Sequence, residues 1–280
     1  MCGQLYLCAT PIGNLADITN RVIDTLKMVD VIAAEDTRNS IKLLNHFDIH
    51  TPMTSYHEHN KFDKAQDLIR QIKDGKNIAL ITDAGTPAIS DPGEVLVKLC
   101  MEEGIVVTSL PGAAAVIVAL TLSGISTRRF CFEGFIPIDN KERKAILSSL
   151  ENETRTIVLY ESPHHIKATL KDLLSQLGNR RITICKELTK KFEKVISFTI
   201  EEAINLYESE APRGEYVIVV EGKDISDIQA ENRKKWEELS VNEHMDFYLA
   251  EGLDRKNAMK SVAKDRGISK REVYANLLNK

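Results

Sequence analysis

With 280 residues, 43% of them hydrophobic and 28% charged, the chain has the composition of a soluble globular protein of about two domains. No apolar run reaches the ~18 residues that a membrane span requires, the start of the chain lacks the basic segment of a signal peptide, and the five scattered cysteines, with no Cys-x-x-Cys, suit a reducing cytoplasm. The net charge of −4 conceals an asymmetry: Leu253–Lys280 holds eight Lys/Arg against three acids, a surplus of five on a body near −9, which suggests a local anionic contact in place of bulk attraction to nucleic acid.

Over the first ~125 residues apolar runs alternate with amphipathic segments, the signature of a parallel sheet with crossover helices. Strands are expected at Gln4–Ala9, Val31–Ala34, Asn77–Ile81 and Ile105–Leu110. Helical stripes run through Ile18, Val22, Ile23 and Leu26, and through Ala65, Leu68, Ile69 and Ile72. Further helices are expected from near Pro92 and over Ala113–Leu122. A second α/β set follows, with strands at Phe130–Ile136, Thr156–Tyr160, Arg181–Glu187, Lys194–Ile200 and Glu215–Glu221, and helices at Asn140–Leu150 and His164–Leu177. From Ala230 the chain turns helical, and Ala258–Arg266, Gly267-Ile268-Ser269 and Lys270–Leu278 read as helix, tight turn, helix, with Ser269 and Glu272 as a capping box. The expected division is 1–124, 125–229 and 230–280: two α/β domains with a cleft between them, then a basic tail resembling a helix-turn-helix.

Four loops leave the carboxyl ends of the first strands: Thr10–Leu15, Glu35–Arg38, 82–93 and Pro111–Ala115. In a parallel sheet these ends share one edge, where open α/β sheets bind ligands. The third loop, Thr82-Asp83-Ala84-Gly85-Thr86-Pro87-Ala88-Ile89-Ser90-Asp91-Pro92-Gly93, is long for its place. Neither Gly-x-Gly-x-x-Gly nor Gly-x-x-x-x-Gly-Lys-Ser/Thr occurs, so the ligand is not held by a pyrophosphate, and flavin or nicotinamide chemistry is disfavoured. Asp91 suits capping of the next helix, whereas Asp83 can face a ligand hydroxyl or cation. Gly85 and Gly112 allow a tight turn or close approach, and Ala113–Ala115 leave room for a flat group or for close helix packing. Glu35, Asp36 and Arg38 follow a buried strand, either as reacting groups or as a solvated helix start. His57 and His59 flank Glu58 without the i, i+4 spacing of a helical metal site, so no metal is expected. In the second set, Tyr160–His165, Cys185–Lys191 and Pro212–Glu215 sit beside strands and can close over the first loops.

Taken in order, Ala9–Thr19, Ala33–Arg38, Asp83–Pro87 with Ser90–Gly93, Leu110–Gly112, Glu133–Phe135, Tyr160–His164 and Lys186–Lys190 resemble the ribosomal RNA small subunit methyltransferase I family. That family is a branch of the tetrapyrrole-methylase-like group. The resemblance covers roughly residues 4–222, and His165 departs from it, since Arg is frequent there. It implies two α/β domains with S-adenosylmethionine in the cleft, a homodimer, and methylation of the ribose 2′-hydroxyl of a cytidine in the decoding region of 16S rRNA, within the small ribosomal subunit. It implies a cofactor set of Pro11, Asp83, Ala84, Gly85, Ser90, Pro111, Gly112, Ala113, Ala114, Tyr160, Glu161 and Gly214.

Methyl transfer to a ribose hydroxyl is an in-line displacement that benefits from positioning and from a base. Glu35, His57 and Lys186 are the candidate bases and Arg38 the phosphate contact. Arg38, Lys42, the Lys141/Arg143/Lys144 cluster, Lys190-Lys191 and the tail are available to dock RNA. Two other readings use the same chain: methylation of a corrinoid or porphyrin precursor, and a non-catalytic ribosome-assembly factor. The basic tail weighs against the first and the intact loop series against the second.

Overall fold

The computed structural model describes residues 2–278; Met1 and Lys280, the latter counted in the basic surplus of the tail, lie outside them. By packing, the chain forms two units: the residues up to Ser148 with Thr156–Glu221, and Ser149–Arg155 with those from Gly222 on. The sequence-based division at residue 124 falls within the first unit, ahead of its second sheet.

The first sheet is built from β1 (Leu5–Cys8), α1 (Asn20–Met28), β2 (Val31–Ala34), α2 (Thr37–His46), β3 (Met53–Ser55), α3 (Lys61–Lys73), β4 (Ile78–Ile81), α4 (Gly93–Glu102), β5 (Val107–Leu110) and α5 (Ala115–Leu122). All its strands are parallel, in the order β3-β2-β4-β1-β5. Alternation along β4 shows why the strands are apolar throughout: Ile78 and Leu80 enter one core with Leu68, Ile72 and Leu96, and Ala79 and Ile81 enter the other with Val22, Leu26 and Leu44. Helices thus cover both faces, as a parallel sheet requires. The four strands read from sequence are present, and a fifth, β3, joins them at the edge. Met53-Thr54-Ser55 is too short and polar to show as an apolar run, and it pairs with β2 alone.

The second sheet comprises β6 (Phe130–Phe135), α6 (Asn140–Ser149), β7 (Thr156–Glu161), α7 (Ile166–Leu177), β8 (Arg181–Lys186), β9 (Lys194–Thr199), α8 (Ile200–Ser209) and β10 (Tyr216–Val220). Its order is β6-β7-β10-β8-β9, with β6 parallel to β7 and the remaining pairs antiparallel. Last in the chain but central in the sheet, β10 is buried along its whole length. The helix α5 belongs by chain order to the first sheet, yet Val116, Ala119 and Leu120 pack on Val158, Cys185, Val217 and Val219 of the second. It begins two residues later than its apolar run suggested, because Ala114 is extended and caps it.

In the second unit four helices follow: α9 (Ile225–Glu237), α10 (Val241–Ala250), α11 (Arg255–Arg266) and α12 (Lys270–Leu278). Met245, Ala258, Val262, Ala263 and Val273 form their core. Gly267 ends α11 in the left-handed region (φ 65°), and Ser269 and Glu272 exchange the two bonds of a capping box at 2.7 and 3.2 Å, so the helix-turn-helix outline is present. No helix among the described residues is long and apolar enough to cross a membrane.

Replacing Ser269 with Ala removes one of these bonds and should cost about 1 kcal/mol, typical of a lost N-cap. Hydrogen exchange of the α12 amides should accelerate about fivefold, the factor that corresponds to 1 kcal/mol.

Candidate functional site

The four loops at the carboxyl ends of the first sheet meet. Thr10 and Gly85 exchange backbone hydrogen bonds at 2.9 and 3.1 Å, and the Thr10 hydroxyl donates to the carbonyl of Thr82 at 3.1 Å. Thr86 Oγ1 donates to the carbonyl of Ala113 at 3.0 Å. Glu35 Oε2 accepts from Thr82 Oγ1 at 2.7 Å and from the Asp83 N–H at 3.5 Å, while Asp83 Oδ1 accepts from the Asp36 N–H at 3.2 Å. Two carboxylates, Glu35 and Asp83, are thereby set side by side. Burial, reinforced by the charge of Glu35, pushes the Asp83 carboxyl above its usual value.

Asp91 holds the long loop in shape. Its Oδ1 accepts from the N–H groups of Ala88 (3.0 Å) and Gly93 (2.8 Å), and its Oδ2 from that of Ile89 (3.2 Å). Ala88 (φ 68°) and Ser90 (φ 62°) both lie in the left-handed region, rare for residues with a side chain and concentrated at functional sites. The expected cap is shifted by one residue: Pro92, not Asp91, is the N-cap of α4, with Gly93 the first helical residue, and Asp91 reaches the Gly93 N–H from just outside the helix. A Cβ on Gly93 would sit 2.7 Å from Asp91 Oδ1 and 2.9 Å from Leu80 Cδ2, so only glycine lets α4 start this close to β4.

Beside these loops lies a cleft of about 530 Å3, within the usual range for a small-molecule site. Its far wall comes from the second sheet: Phe135, Tyr160, Glu161, Ser162, Cys185, Glu215, Tyr216 and Val217. The Tyr160 hydroxyl accepts from the Val116 N–H at 3.2 Å, and its ring meets Phe135 at 5.6 Å. Glu161 is 5% exposed and accepts from the Ser162 N–H and from the Thr169 hydroxyl, so it is held rigidly. The Ser162 hydroxyl is buried and has no hydrogen-bond partner among the described residues. Gly134 (φ 62°) lies against Ser90: a Cβ there would come within 2.9 Å of Ser90 Oγ, which brings the two walls into direct contact. The Cys185 thiol is pushed up to about 11 by burial and is neutral near neutral pH.

The structure brings together part of the expected residues. Glu35, Asp83, Ala84, Gly85, Ser90, Ala114, Tyr160 and Glu161 line the cleft. Pro11, Pro111, Gly112, Ala113, Gly214, Arg38, His57 and Lys186 are absent from its described lining. Several have other work. Gly112 allows β5 to pass β1, since a Cβ would lie 2.6 Å from that of Ala9, and Gly214 (φ 81°) leaves space for the Glu187 side chain. Ala113 contributes its carbonyl to Thr86. Arg38 is mostly exposed and pairs with Asp36 at 2.9 Å, holding that carboxyl at about 2. His57 donates its backbone N–H to Asn60 Oδ1 at 2.8 Å, and its buried Nδ1 has no hydrogen-bond partner among the described residues. The Lys186 ammonium lies 6.0 Å from the ring centroid of Tyr216.

Besides Arg38, two more cations expected to be available for RNA are engaged. Arg143 bonds Asp172 at 2.7 Å and Thr169 at 2.9 Å. Lys190 bridges Glu187 (2.9 Å) and Glu215 (2.8 Å); burial opposes its charge, but the two carboxylates hold the ammonium above its usual value. Sequence reading missed Ser162, Cys185, Tyr216 and Val217 as site residues. Ser162 and Cys185 lay in segments already singled out, whereas Tyr216-Val217 read only as strand core.

A family model of the tetrapyrrole (corrin/porphyrin) methylases matches residues 4–204. Among curated proteins, a "Ribosomal RNA small subunit methyltransferase I" from Halalkalibacterium halodurans is 48% identical over 272 residues, which is 97% of this chain and 93% of that protein. One of the same name from Bacillus subtilis is 47% identical over the same shares. Among solved structures, uroporphyrin-III C-methyltransferase from Thermus thermophilus, complexed with S-adenosylhomocysteine, superposes with a TM-score of 0.56 at 18% identity, over 79% of this chain and 98% of that one. The chain therefore belongs to the tetrapyrrole methylases and, within them, to the ribosomal RNA small subunit methyltransferase I family.

Two outcomes follow from this geometry. Asp91→Ala removes an ionised acceptor from three N–H groups, each such bond contributing about 1.5–3 kcal/mol, so thermal unfolding should shift down and the amides of Ala88, Ile89 and Gly93 should lose exchange protection. For Asp83, the folded-state pKa lies above the unfolded value of about 3.9. Its contribution is then favourable at low pH and lost as pH rises through the interval between the two values. The wild type should therefore lose stability relative to Asp83→Asn as pH rises across that interval, read as the change in the difference between their denaturation midpoints.

Proposed function

We propose that this protein transfers the methyl group of S-adenosylmethionine to the 2′-hydroxyl of a cytidine ribose in the decoding region of 16S rRNA, within the small ribosomal subunit. The single observation that carries this reading is the charge of the cleft. Glu35, Asp83, Asp91, Glu161 and Glu215 are among its described lining residues, and no Lys, Arg or His is. Asp91, Glu161 and Glu215 are engaged by backbone amides, a hydroxyl and Lys190 respectively. Glu35 and Asp83 accept from neutral donors, the Thr82 hydroxyl and the N–H groups of Asp83 and Asp36, and are adjacent carboxylates whose repulsion a cationic ligand relieves.

The chain's residues suit this cofactor in three further ways. Gly85 and Ala114 leave space for a flat base, the partnerless Ser162 hydroxyl can bond a polar ligand atom, and the phosphate-binding glycine patterns are missing, as befits a ligand without phosphate. S-adenosylmethionine bound in the cleft would supply a methyl group on a sulfonium sulfur, with a neutral thioether as the leaving group toward the ribose oxygen. Of the candidate bases Glu35, His57 and Lys186, Glu35 is the one on the described lining, and its carboxylate takes the hydroxyl proton. Asp83 holds the cofactor's cationic end. Arg38, on its pair with Asp36 beside Glu35, steadies a substrate phosphate. Support for the rRNA substrate comes from the family to which the chain belongs. On the same ground we place the enzyme in the cytoplasm, acting as a homodimer.

The test is methyl transfer from labelled S-adenosylmethionine to small subunits lacking this modification, with nucleoside mass spectrometry of the product. A 2′-O-methylcytidine at one decoding-region site is the expected result; transfer only to a tetrapyrrole precursor overturns the assignment. In single-turnover assays at saturating subunit, Glu35→Gln should lower the rate about 100-fold, the range for a general base, and a loss below about threefold removes Glu35 from that role. Calorimetry should show Asp83→Ala binding S-adenosylmethionine about tenfold more weakly, as for loss of one charged contact; unchanged affinity removes it from the cofactor site.

A further inference from the structure

An acidic cleft that binds a cationic cofactor repels the phosphates of an RNA substrate, so the backbone of that substrate must be held elsewhere. In the helical unit, Lys256, Lys260 and Lys264 follow one another at i, i+4 and i+8 along α11. This spacing places them in one row about 12 Å long. All three are exposed, on the side of α11 away from the buried Ala258 and Val262.

Three acids near the row in sequence bond other groups, and none of them is ion-paired with a lysine of the row. Asp254 accepts from the N–H of Asn257 at 2.8 Å and from its amide nitrogen at 3.0 Å, which caps α11. Asp265 accepts from the Tyr248 hydroxyl at 2.5 Å. Glu272 accepts from the Ser269 N–H at 2.7 Å, which caps α12. Among the described residues, none of the three lysines forms an ion pair with a carboxylate. Like charges at i, i+4 destabilise a helix, so a row of three is kept against the interest of folding. Just beyond the turn, α12 adds exposed Lys270 and Arg271, with Tyr274 51% exposed, a ring on which an unpaired base can stack.

We infer that the Lys256–Lys260–Lys264 row is the docking face for the phosphate backbone of the substrate RNA; this rests on the rRNA reading above and names the surface that recognises it. Each lysine that meets a phosphate releases a counterion, so the row acts through affinity and salt dependence, and it leaves the chemistry in the cleft untouched.

The test compares the full-length wild type with the triple variant Lys256→Gln/Lys260→Gln/Lys264→Gln. Binding to small subunits lacking the modification is measured over a range of salt concentrations. The variant should bind at least tenfold more weakly, with a log–log salt slope shallower by about two, given ~0.7 per phosphate contact on a single strand. Its KM for subunits should rise while kcat and S-adenosylmethionine affinity stay unchanged. The triple Lys→Arg variant, which keeps the three charges, should restore both wild-type binding and the wild-type salt slope. Equal affinity and equal slope in wild type and Gln variant overturn the inference, and so does weaker binding that Arg does not restore. If the wild type binds subunits with the expected salt slope but transfers no methyl group, the reaction assigned to the cleft fails, while the slope of the Gln variant still decides the role of the row.

Discussion

Three backbone N–H groups, from Ala88, Ile89 and Gly93, converge on the carboxylate of Asp91, and the shape of the cleft depends on that convergence. Ala88 and Ser90 occupy left-handed conformations that their side chains disfavour. An ionised acceptor with several donors offsets that strain, because charge-assisted bonds are roughly twice as strong as neutral ones. With the loop held, Gly85 can pair with Thr10, Thr86 can reach Ala113, and Ser90 can lie against Gly134 of the second sheet. Asp83 and Glu35, at the start of the same loop and on the loop beside it, are then fixed as neighbours.

The second requirement is that two differently built sheets each supply one wall of the cleft. The helix α5 meets it. Its residues are apolar on nearly every side, so it has no polar face to give to solvent and instead packs Val116, Ala119 and Leu120 onto β7, β8 and β10. The bond from the Val116 N–H to Tyr160 satisfies a free amide of the first turn of α5 and at the same time fixes an aromatic ring of the far wall. Folding and site construction are here the same contact.

Charge is sorted by position in a consistent way. Basic side chains near the cleft are engaged by acids: Arg38 by Asp36, Arg143 by Asp172, and Lys190 by Glu187 and Glu215. The described lining of the cleft keeps carboxylates alone as its charged groups. Along α11 and α12 the pattern is reversed, with Asp254 and Glu272 engaged in capping, Asp265 bonded by the Tyr248 hydroxyl, and the lysines left exposed. An enzyme that joins a cationic cofactor to a polyanionic substrate gains from exactly such a separation, since one field cannot attract both.

The sequence by itself determined the α/β class, four of the five strands of the first sheet, the capping role of Ser269, and the loops that would carry ligand groups. These are local matters: apolar runs set strands, and side chains that bond their own neighbours set caps. It also determined, through its ordered motifs, the family. It did not disclose β3, whose three residues gain strand form only by pairing with β2. Nor did it separate the glycines that leave room for the fold, Gly112 and Gly214, from Gly85 on the cleft lining, because the neighbour that a Cβ would strike is distant in sequence or set by a turn. Tyr216 and Val217 join the site because β10 inserts between β7 and β8, and Arg143 and Lys190 are engaged by partners that the fold supplies. Which charges stay exposed and which strand faces the ligand depend on long-range pairing, and that was decided by the tertiary structure alone.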